Sequence, residues 1–209
     1  MEQKKGILVV SFGTSHLDTL ERTITAVEQY IAAQFPEYRV YRAFTSGMIL
    51  RKLKRKENLT FDNVEEALER MAADGIETAV IQPTHVINGI ENDRMLEAAE
   101  AYRDRFETMQ IGAPLLSTAE DYKKAVHAVM AEVDPAEDET LILMGHGTDH
   151  HANSAYPTLE YTFHLLGYRQ VLVGTVEGFP NLQNVQTKLE ITGCKKVVLM
   201  PFMLVAADH

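Results

Sequence analysis

Short runs of aliphatic and β-branched residues alternate along this chain with segments whose apolar residues recur at helical spacing. The run Ile7–Val10 is followed by an apolar stripe at spacings of 3, 4, 3 and 4, formed by Leu17, Leu20, Ile24, Val27 and Ile31. Parallel strands need crossover connections, and amphipathic helices are the usual ones. The alternation therefore predicts an α/β fold in which helices flank parallel sheets.

Several signals predict where helices begin and end. Ser15 is the expected N-cap of the first helix, since a serine oxygen can accept from a free backbone N–H. Asp62 with Glu65 has the spacing of a capping box and predicts a second helix start. Periodicity also predicts a helix over residues 119–132.

The second half of the chain repeats the opening of the first. Ile7–Thr14 and Leu141–Thr148 both consist of four apolar residues, two variable residues and Gly-Thr. Further along, Ala79–Pro83 aligns with Val197–Pro201. Two matches in the same order indicate an internal duplication. We therefore expect two similar Rossmann-like halves, each a parallel sheet flanked by helices.

The two halves, residues 1–115 and 116–209, differ in their number of predicted strands. The first half contains four, whereas the second reaches three and ends at His209, eight residues after Pro201. We expect the second half to be truncated, without a last helix and strand. A natural three-stranded second half is the alternative.

Composition excludes several classes of protein. One cysteine in 209 residues excludes a disulfide scaffold and a thiolate-rich metal site. The apolar runs are far shorter than the roughly 20 residues that a membrane span requires, and the basic start lacks the features of a signal peptide. The net charge of −10 argues against nucleic acid as the main ligand. We expect a cytoplasmic protein without a nucleic-acid or membrane partner, and leave a homo-oligomer open.

Three successive strands of the second half are followed by residues that can bind a metal: His146, Glu177 and His209. The carboxyl ends of parallel strands share one edge of a sheet, so these side chains are expected to converge. Two imidazoles and one carboxylate suit a divalent first-row transition metal with open coordination positions. A structural Gly-His-Gly turn and a solvated glutamate are the alternative. His150 and His151 are rival ligands in a polar loop.

The first half offers two further candidate features. His85 lies at the equivalent strand end, where it either faces the same site or is a structural histidine. The run Arg51–Lys56 contains five basic residues in six positions, either as a solvated helix face or as an attractor for a polycarboxylate ligand. Phosphate-binding, dinucleotide-binding and nucleophile-elbow motifs are absent from the sequence. Cys194 is expected to be a buried, inert thiol.

At these residues the sequence resembles the anaerobic sirohydrochlorin cobaltochelatases, a family of class II tetrapyrrole chelatases. The matching segments follow the family's order over nearly the whole chain: Leu8–Ser15, Ala43–Ser46 with Ile49–Leu53, Pro83–Glu91, Gly145–Thr148 with His151–Tyr156, Val176–Pro180, and Pro201–Ala207 with Asp208 and His209. Family members continue beyond the last histidine, which agrees with the expected truncation.

The resemblance implies an enzyme, a lyase of the metal-chelatase type. Its substrate metal would be Co²⁺ and its tetrapyrrole sirohydrochlorin, as in anaerobic cobalamin biosynthesis, with no organic cofactor. It implies that His146, Glu177 and His209 bind the metal, that His146 and Glu177 are catalytic, and that a cleft between the halves holds the tetrapyrrole. The residues expected to bind substrate are Ser11, Phe12, Gly13, Thr14, His85 and Asn88. An iron or nickel chelatase of the same scaffold and a non-catalytic metal or tetrapyrrole carrier are the alternatives.

Overall fold

The computed structural model of the chain describes residues 4–206. Within this range the chain forms two compact units, the first ending at Pro114 and the second beginning at Leu115. Each unit contains one sheet, and every strand pair in both sheets is parallel. The predicted α/β fold with two helix-flanked parallel sheets is confirmed.

Unit 1 contains a four-stranded sheet in the order β2-β1-β3-β4. Its strands are β1 (Lys5–Ser11), β2 (Arg39–Phe44), β3 (Thr78–Pro83) and β4 (Thr108–Ile111). Its helices are α1 (Leu17–Leu20), α2 (Ala26–Gln34), α3 (Gly47–Glu57), α4 (Val64–Ala73) and α5 (Ile90–Ala101), with a π turn at Glu21–Thr25 and a 3₁₀ turn at Arg103–Arg105. The core packs fully buried side chains of β1 against α4 and α5, among them Leu8, Leu68 and Met95.

Unit 2 contains a three-stranded sheet in the order β6-β5-β7. Its strands are β5 (Glu139–Gly145), β6 (Val171–Thr175) and β7 (Lys196–Pro201), and its helices are α6 (Ala119–Glu132), α7 (Ala155–Leu165) and α8 (Leu182–Thr192). A 3₁₀ turn at His151–Ser154 leads into α7. In the central strand β5, Leu141 and Leu143 are fully buried.

The two sheets use the same register, position by position, along the aligned repeats. Val10 pairs with Pro83 in unit 1, and Met144 pairs with Pro201 in unit 2. The next backbone hydrogen bond also recurs, from the N–H of Thr84 to Val10 at 2.8 Å and from that of Phe202 to Met144 at 2.7 Å. Since the alignment of the sequences matches these positions, the register agrees with an internal duplication.

The first helix departs from its predicted details. His16, rather than Ser15, occupies the N-cap position, and it makes no side-chain cap. The π turn at Glu21–Thr25 inserts extra backbone and rotates the helical face. Leu17 of the expected apolar stripe is exposed, whereas Glu28, which follows the π turn, is buried and forms an ion pair with Arg42.

Two other expectations are corrected in detail. The capping box of α4 is formed by Asn63 and Glu66, one residue later than predicted. Asp62 is unavailable as a cap because both its carboxylate oxygens accept from Arg70 at 2.7 Å. Cys194 is half-buried rather than buried, and its thiol accepts from the hydroxyl of Thr140 at 2.9 Å. No helix formed by residues 4–206 combines the length and apolar character of a membrane span.

Candidate functional site

The loop after β5 holds His146 between two glycines that leave no room for a side chain. A Cβ on Gly145 would stand 2.1 Å from Cε1 of Tyr156. A Cβ on Gly147 would stand 2.4 Å from the backbone nitrogen of Gly178, and Gly147 also has a φ of +82°. The two glycines therefore allow the His146 loop to pack against an aromatic ring and against the backbone of the next strand's loop.

The loop after β6 continues the parallel ladder past the end of the sheet. The N–H of Val176 donates to Gly145 at 3.0 Å, and the N–H of Glu177 donates to the carbonyl of His146 at 2.8 Å. Nδ1 of His146 lies 3.9 Å from Oε2 of Glu177. The structure therefore brings these two predicted site residues together at the carboxyl edge of the sheet.

The tautomer of His146 follows from a second contact. Its Nδ1 lies 2.9 Å from the carbonyl oxygen of Gly147. A carbonyl can only accept a hydrogen bond, so Nδ1 carries the proton in the neutral ring. This leaves Nε2 as the basic nitrogen, with the lone pair that a metal or a proton needs.

The exposure of the pair suits a shared cation. The side chains of His146 and Glu177 are 45% and 62% exposed. Nε2 of His146 and the carboxylate of Glu177 are therefore both accessible to a cation from solvent, and both side chains can rotate towards it. The arrangement can therefore bind a divalent cation and keep positions open on its solvent side.

Asn153, which lies in the polar loop of the predicted rival histidines, links the two loops of the site. Its Oδ1 accepts from the N–H of Thr148 at 3.1 Å, and its Nδ2 donates to the carbonyl of Phe179 at 2.5 Å. A Cβ on Gly178 would stand 2.2 Å from that same Oδ1. One amide side chain thus holds the segments that carry His146 and Glu177.

The buried side chains of Thr175 and Tyr156 form hydrogen bonds with the same two loops. The hydroxyl of Thr175 accepts from the N–H of Gly178 at 3.1 Å and donates to the carbonyl of Pro180 at 2.9 Å. Burial raises the pKa of Tyr156, while hydrogen bonds from the backbone of Gly147 and His146 act in the opposite direction. Tyr156 therefore remains a neutral phenol at pH 7 beneath the His146 loop.

We expect Asn153→Ala to weaken Co²⁺ binding about tenfold, because groups that orient metal ligands typically control affinity by 10–100-fold. Isothermal titration with Co²⁺ measures the affinity, and urea unfolding measures stability. Asn181→Ala is the matched control, because Asn181 caps α8 without joining the loops. Both variants are expected to lose stability. Equal affinities in the two variants would remove Asn153 from any role in orienting the ligands.

His150 and His151 stack on each other, and His150 also binds the local backbone. Their ring centroids are 4.0 Å apart, and Nδ1 of His150 accepts from the N–H of Ala152 at 3.2 Å. Within residues 4–206, no three His, Cys, Asp or Glu side chains are grouped closely enough to hold a metal ion. The structure therefore brings together two predicted ligands, and the predicted third, His209, lies outside the described residues.

The corresponding loop of unit 1 repeats the backbone of the His146 loop. Gly13 has a φ of +98°, and the hydroxyl of Thr14 accepts from the N–H of His16 at 3.2 Å. The hydroxyl of Thr148 accepts in the same way from the N–H of His150 at 3.1 Å.

Of the predicted substrate-binding residues in this loop, Ser11 and Thr14 are buried and Phe12 is 45% exposed. Ser11 accepts from the hydroxyl of Thr84 at 2.8 Å. Phe12 therefore offers the accessible side chain of this segment.

His85 follows β3 at the same edge of the unit 1 sheet. Within the described residues, its two ring nitrogens are buried and have no hydrogen-bond partner, and the same holds for Oε2 of Glu91. Burial lowers the pKa of His85, and the charge of Glu91 opposes this shift. His85 is therefore a neutral imidazole at pH 7. Asn88 is exposed in the loop that follows.

The lowered pKa of His85 predicts a pH-dependent stability. Below about pH 6.5 the unfolded chain binds a proton that the folded chain excludes. The free energy of unfolding should fall by up to about 1.4 kcal/mol per pH unit as the pH drops towards the folded-state pKa. We expect a shallower slope for His85→Gln in urea unfolding between pH 7 and pH 5. The exposed His127 provides the control His127→Gln, and equal slopes in both variants would contradict the prediction.

Comparisons with known proteins agree with these features. A family model described as cobalt chelatase (CbiK) matches residues 5–209. The chain is 39% identical over 207 residues to the sirohydrochlorin cobaltochelatase of Salmonella typhimurium, covering 99% of this chain and 78% of that protein. It is 32% identical over 210 residues to the sirohydrochlorin cobaltochelatase CbiKC of Nitratidesulfovibrio vulgaris, covering 99% of this chain and 73% of that protein.

A solved structure shares the fold at low sequence identity. The structure described as SirB from Bacillus subtilis with Fe³⁺ matches with a TM-score of 0.70 at 16% identity. The match covers 97% of this chain and 78% of that one. At this identity the likeness concerns the fold alone.

Proposed function

Because the chain belongs to the cobalt chelatase (CbiK) family, we propose that it inserts Co²⁺ into sirohydrochlorin. The observation that carries the proposal is the pairing of His146 with Glu177, whose side-chain atoms approach to 3.9 Å at the edge of the second sheet. An imidazole and a carboxylate in this arrangement provide both a cation site and a proton acceptor.

Insertion exchanges protons for a metal ion. Co²⁺ sheds water ligands and binds the macrocycle nitrogens, and two pyrrole N–H protons leave, so the product is the cobalt complex and two protons. In the proposed mechanism Nε2 of His146 accepts a pyrrole proton, and Glu177 holds the cation or accepts the second proton. Positioned proton transfer of this kind typically contributes 10²–10⁴-fold to a rate.

The remaining assignments are part of the same proposal. His209 is proposed as a third ligand to the ion, from the resemblance of its segment to the family motif. The residues proposed to contact the tetrapyrrole are Ser11, Phe12, Gly13, Thr14, His85 and Asn88. A cytoplasmic location without a nucleic-acid or membrane partner is also proposed, in keeping with a net charge of −10.

The identity of the substrate metal is proposed from the relatives, because the His146–Glu177 pair does not determine it. The affinity of such a site rises from Fe²⁺ through Co²⁺ to Ni²⁺, so an imidazole–carboxylate pair does not select cobalt by itself. The relatives at 39% and 32% identity are cobaltochelatases. Cobalt is therefore the proposed substrate metal.

Visible absorption tests the proposal directly. The purified chain is mixed with sirohydrochlorin under anaerobic conditions, and insertion is followed with Co²⁺, Fe²⁺ and Ni²⁺ in parallel. We expect a rate above the protein-free control and highest with Co²⁺. Binding of the tetrapyrrole without insertion would instead indicate a carrier, and a higher rate with Fe²⁺ or Ni²⁺ would reassign the metal.

A further inference from the structure

Helix α3 carries a quarter of the chain's positive charge. Five of the 20 basic residues lie between positions 51 and 56. Within residues 4–206, four of them form no ion pair with a carboxylate: Arg51, Lys54, Arg55 and Lys56. By contrast, Arg70 on α4 is held by both oxygens of Asp62. In an acidic protein, exposed cations without internal partners are available to an external anion.

The helix dipole accounts for only part of this run. Lys54, Arg55 and Lys56 lie in the last turn of α3, where the partial negative charge of the helix end stabilises cations. Arg51 lies in the N-terminal half, where the dipole offers no such stabilisation. Arg51 and Arg55 also repel each other at i,i+4 spacing. Arg51 is thus the basic residue whose position local electrostatics does not explain.

The side chain of Arg51 folds back towards the beginning of its helix. Its Nη1 lies 3.3 Å from the position that a Cβ on Gly47 would take. The helix begins beside the loop after β1, because the N–H of Ser46 donates to the carbonyl of Phe12 at 3.2 Å. The guanidinium therefore points towards the carboxyl edge of the unit 1 sheet.

Two exposed apolar side chains lie at the same edge. Phe12 is 45% exposed and Met48 is 63% exposed. Both follow strand ends closely, Phe12 directly after β1 and Met48 in the first turn of α3. This edge therefore combines an exposed aromatic ring and a flexible thioether with a guanidinium that forms no ion pair within residues 4–206, so it is apolar in one part and cationic in another.

The backbone at this edge of unit 1 has the same hydrogen-bonded arrangement as the loops that carry His146 and Glu177 in unit 2. The bond from Ser46 to Phe12 at 3.2 Å has its counterpart in the bond from Glu177 to His146 at 2.8 Å. Both glycines that follow, at positions 13 and 147, have positive φ angles. Phe12 thus occupies in unit 1 the position of His146, with an apolar ring in place of the imidazole.

We propose that Phe12, Met48 and Arg51 form a binding surface for the tetrapyrrole, in which Arg51 binds a carboxylate side chain of the macrocycle. This inference rests on the proposed function and assigns Arg51 as a specificity-determining residue. The apolar side chains contact the plane of the macrocycle, since aromatic rings favour offset stacking with flat π systems. The planar guanidinium fork matches a carboxylate in a way that an ammonium group does not.

Binding of uroporphyrin, a stable tetrapyrrole with acetate and propionate side chains, tests the proposal without any metal. The variant Arg51→Gln is compared with Lys56→Gln, which removes the same charge from the last turn of the same helix. Quenching of uroporphyrin fluorescence measures the affinity. We expect about a tenfold loss for Arg51→Gln, less than twofold for Lys56→Gln, and partial recovery in Arg51→Lys.

The KM for sirohydrochlorin should rise in Arg51→Gln in parallel, while the KM for Co²⁺ stays unchanged. Equal effects of Arg51→Gln and Lys56→Gln would show that α3 attracts the macrocycle only through its net charge. That result would overturn the proposed contact between Arg51 and a carboxylate. Lack of uroporphyrin binding by the unaltered chain would overturn it as well. If the chain binds uroporphyrin through Arg51 but inserts no Co²⁺, the proposed function fails and this binding surface stands.

Discussion

Replacing His146 by alanine is expected to lower the rate of Co²⁺ insertion into sirohydrochlorin by a factor of about 10²–10⁴. The substitution removes Nε2, the basic nitrogen that the contact between Nδ1 and the carbonyl of Gly147 leaves free of a proton. It also removes one of the two groups that can hold the incoming cation. The change in visible absorption with time, at saturating sirohydrochlorin, measures the rate of Co²⁺ insertion.

The matched control is His127→Ala, which removes an exposed histidine from α6 of the same unit. It is expected to leave the rate unchanged. Added imidazole should restore part of the activity of His146→Ala, because the side chain is 45% exposed and its cavity opens to solvent. If His146→Ala and His127→Ala insert cobalt equally fast, His146 is neither the proton acceptor nor an essential ligand.

Gly147→Ala is expected to reduce insertion at least about 100-fold, because it forces apart the two loops that bear the ligands. The new Cβ would stand 2.4 Å from the backbone nitrogen of Gly178 and 2.7 Å from Cβ of Thr175. Neither neighbour is the end of a flexible side chain, so the loop itself must move. A displacement near 1 Å at a reacting group can cost about 10²-fold in rate.

Gly167→Ala separates this steric effect from backbone strain. Gly167 has a φ of +98°, and nothing lies within 4 Å of the Cβ that it would carry. Both variants should lose about 1–2 kcal/mol of stability from the left-handed backbone conformation. Only Gly147→Ala should lose insertion activity and Co²⁺ affinity as well. If the two variants retain equal activity, the close packing of the loops does not control the geometry of the site.

The elements that matched their predicted bounds are those with strong local patterns. The helix predicted over residues 119–132 is α6 (Ala119–Glu132), and Thr118 supplies a capping box at its start. The helix start near Asp62 was one residue early, because the sequence there offers two equivalent Asx–Glu spacings. The choice between them depends on Arg70, whose ion pair with Asp62 forms only once the helix is folded.

The residues of the site also divide into those that local sequence patterns predict and those that depend on the folded structure. The strand-end rule places His146 and Glu177 at one edge of a sheet because register follows from parallel pairing. Asn153 had no such signal, because its role depends on the path of two loops around its amide. The resemblance to the chelatase family is confirmed by the match over residues 5–209. The metal-binding roles of the individual residues, His209 among them, stay predictions.

The shared register of the two sheets gives the two units matching backbone positions between which side chains could be exchanged. Phe12 and Ser46 stand on the same backbone linkage as His146 and Glu177, at 3.2 Å in one unit and 2.8 Å in the other. Grafting Phe12→His with Ser46→Glu would place the donor pair on the matching backbone positions of unit 1, at the expense of the serine cap of α3 and of the packing around Ser46, which is buried. Because both units have the same loop backbone, a second cation site could be designed in unit 1 at the positions that now hold Phe12 and Ser46.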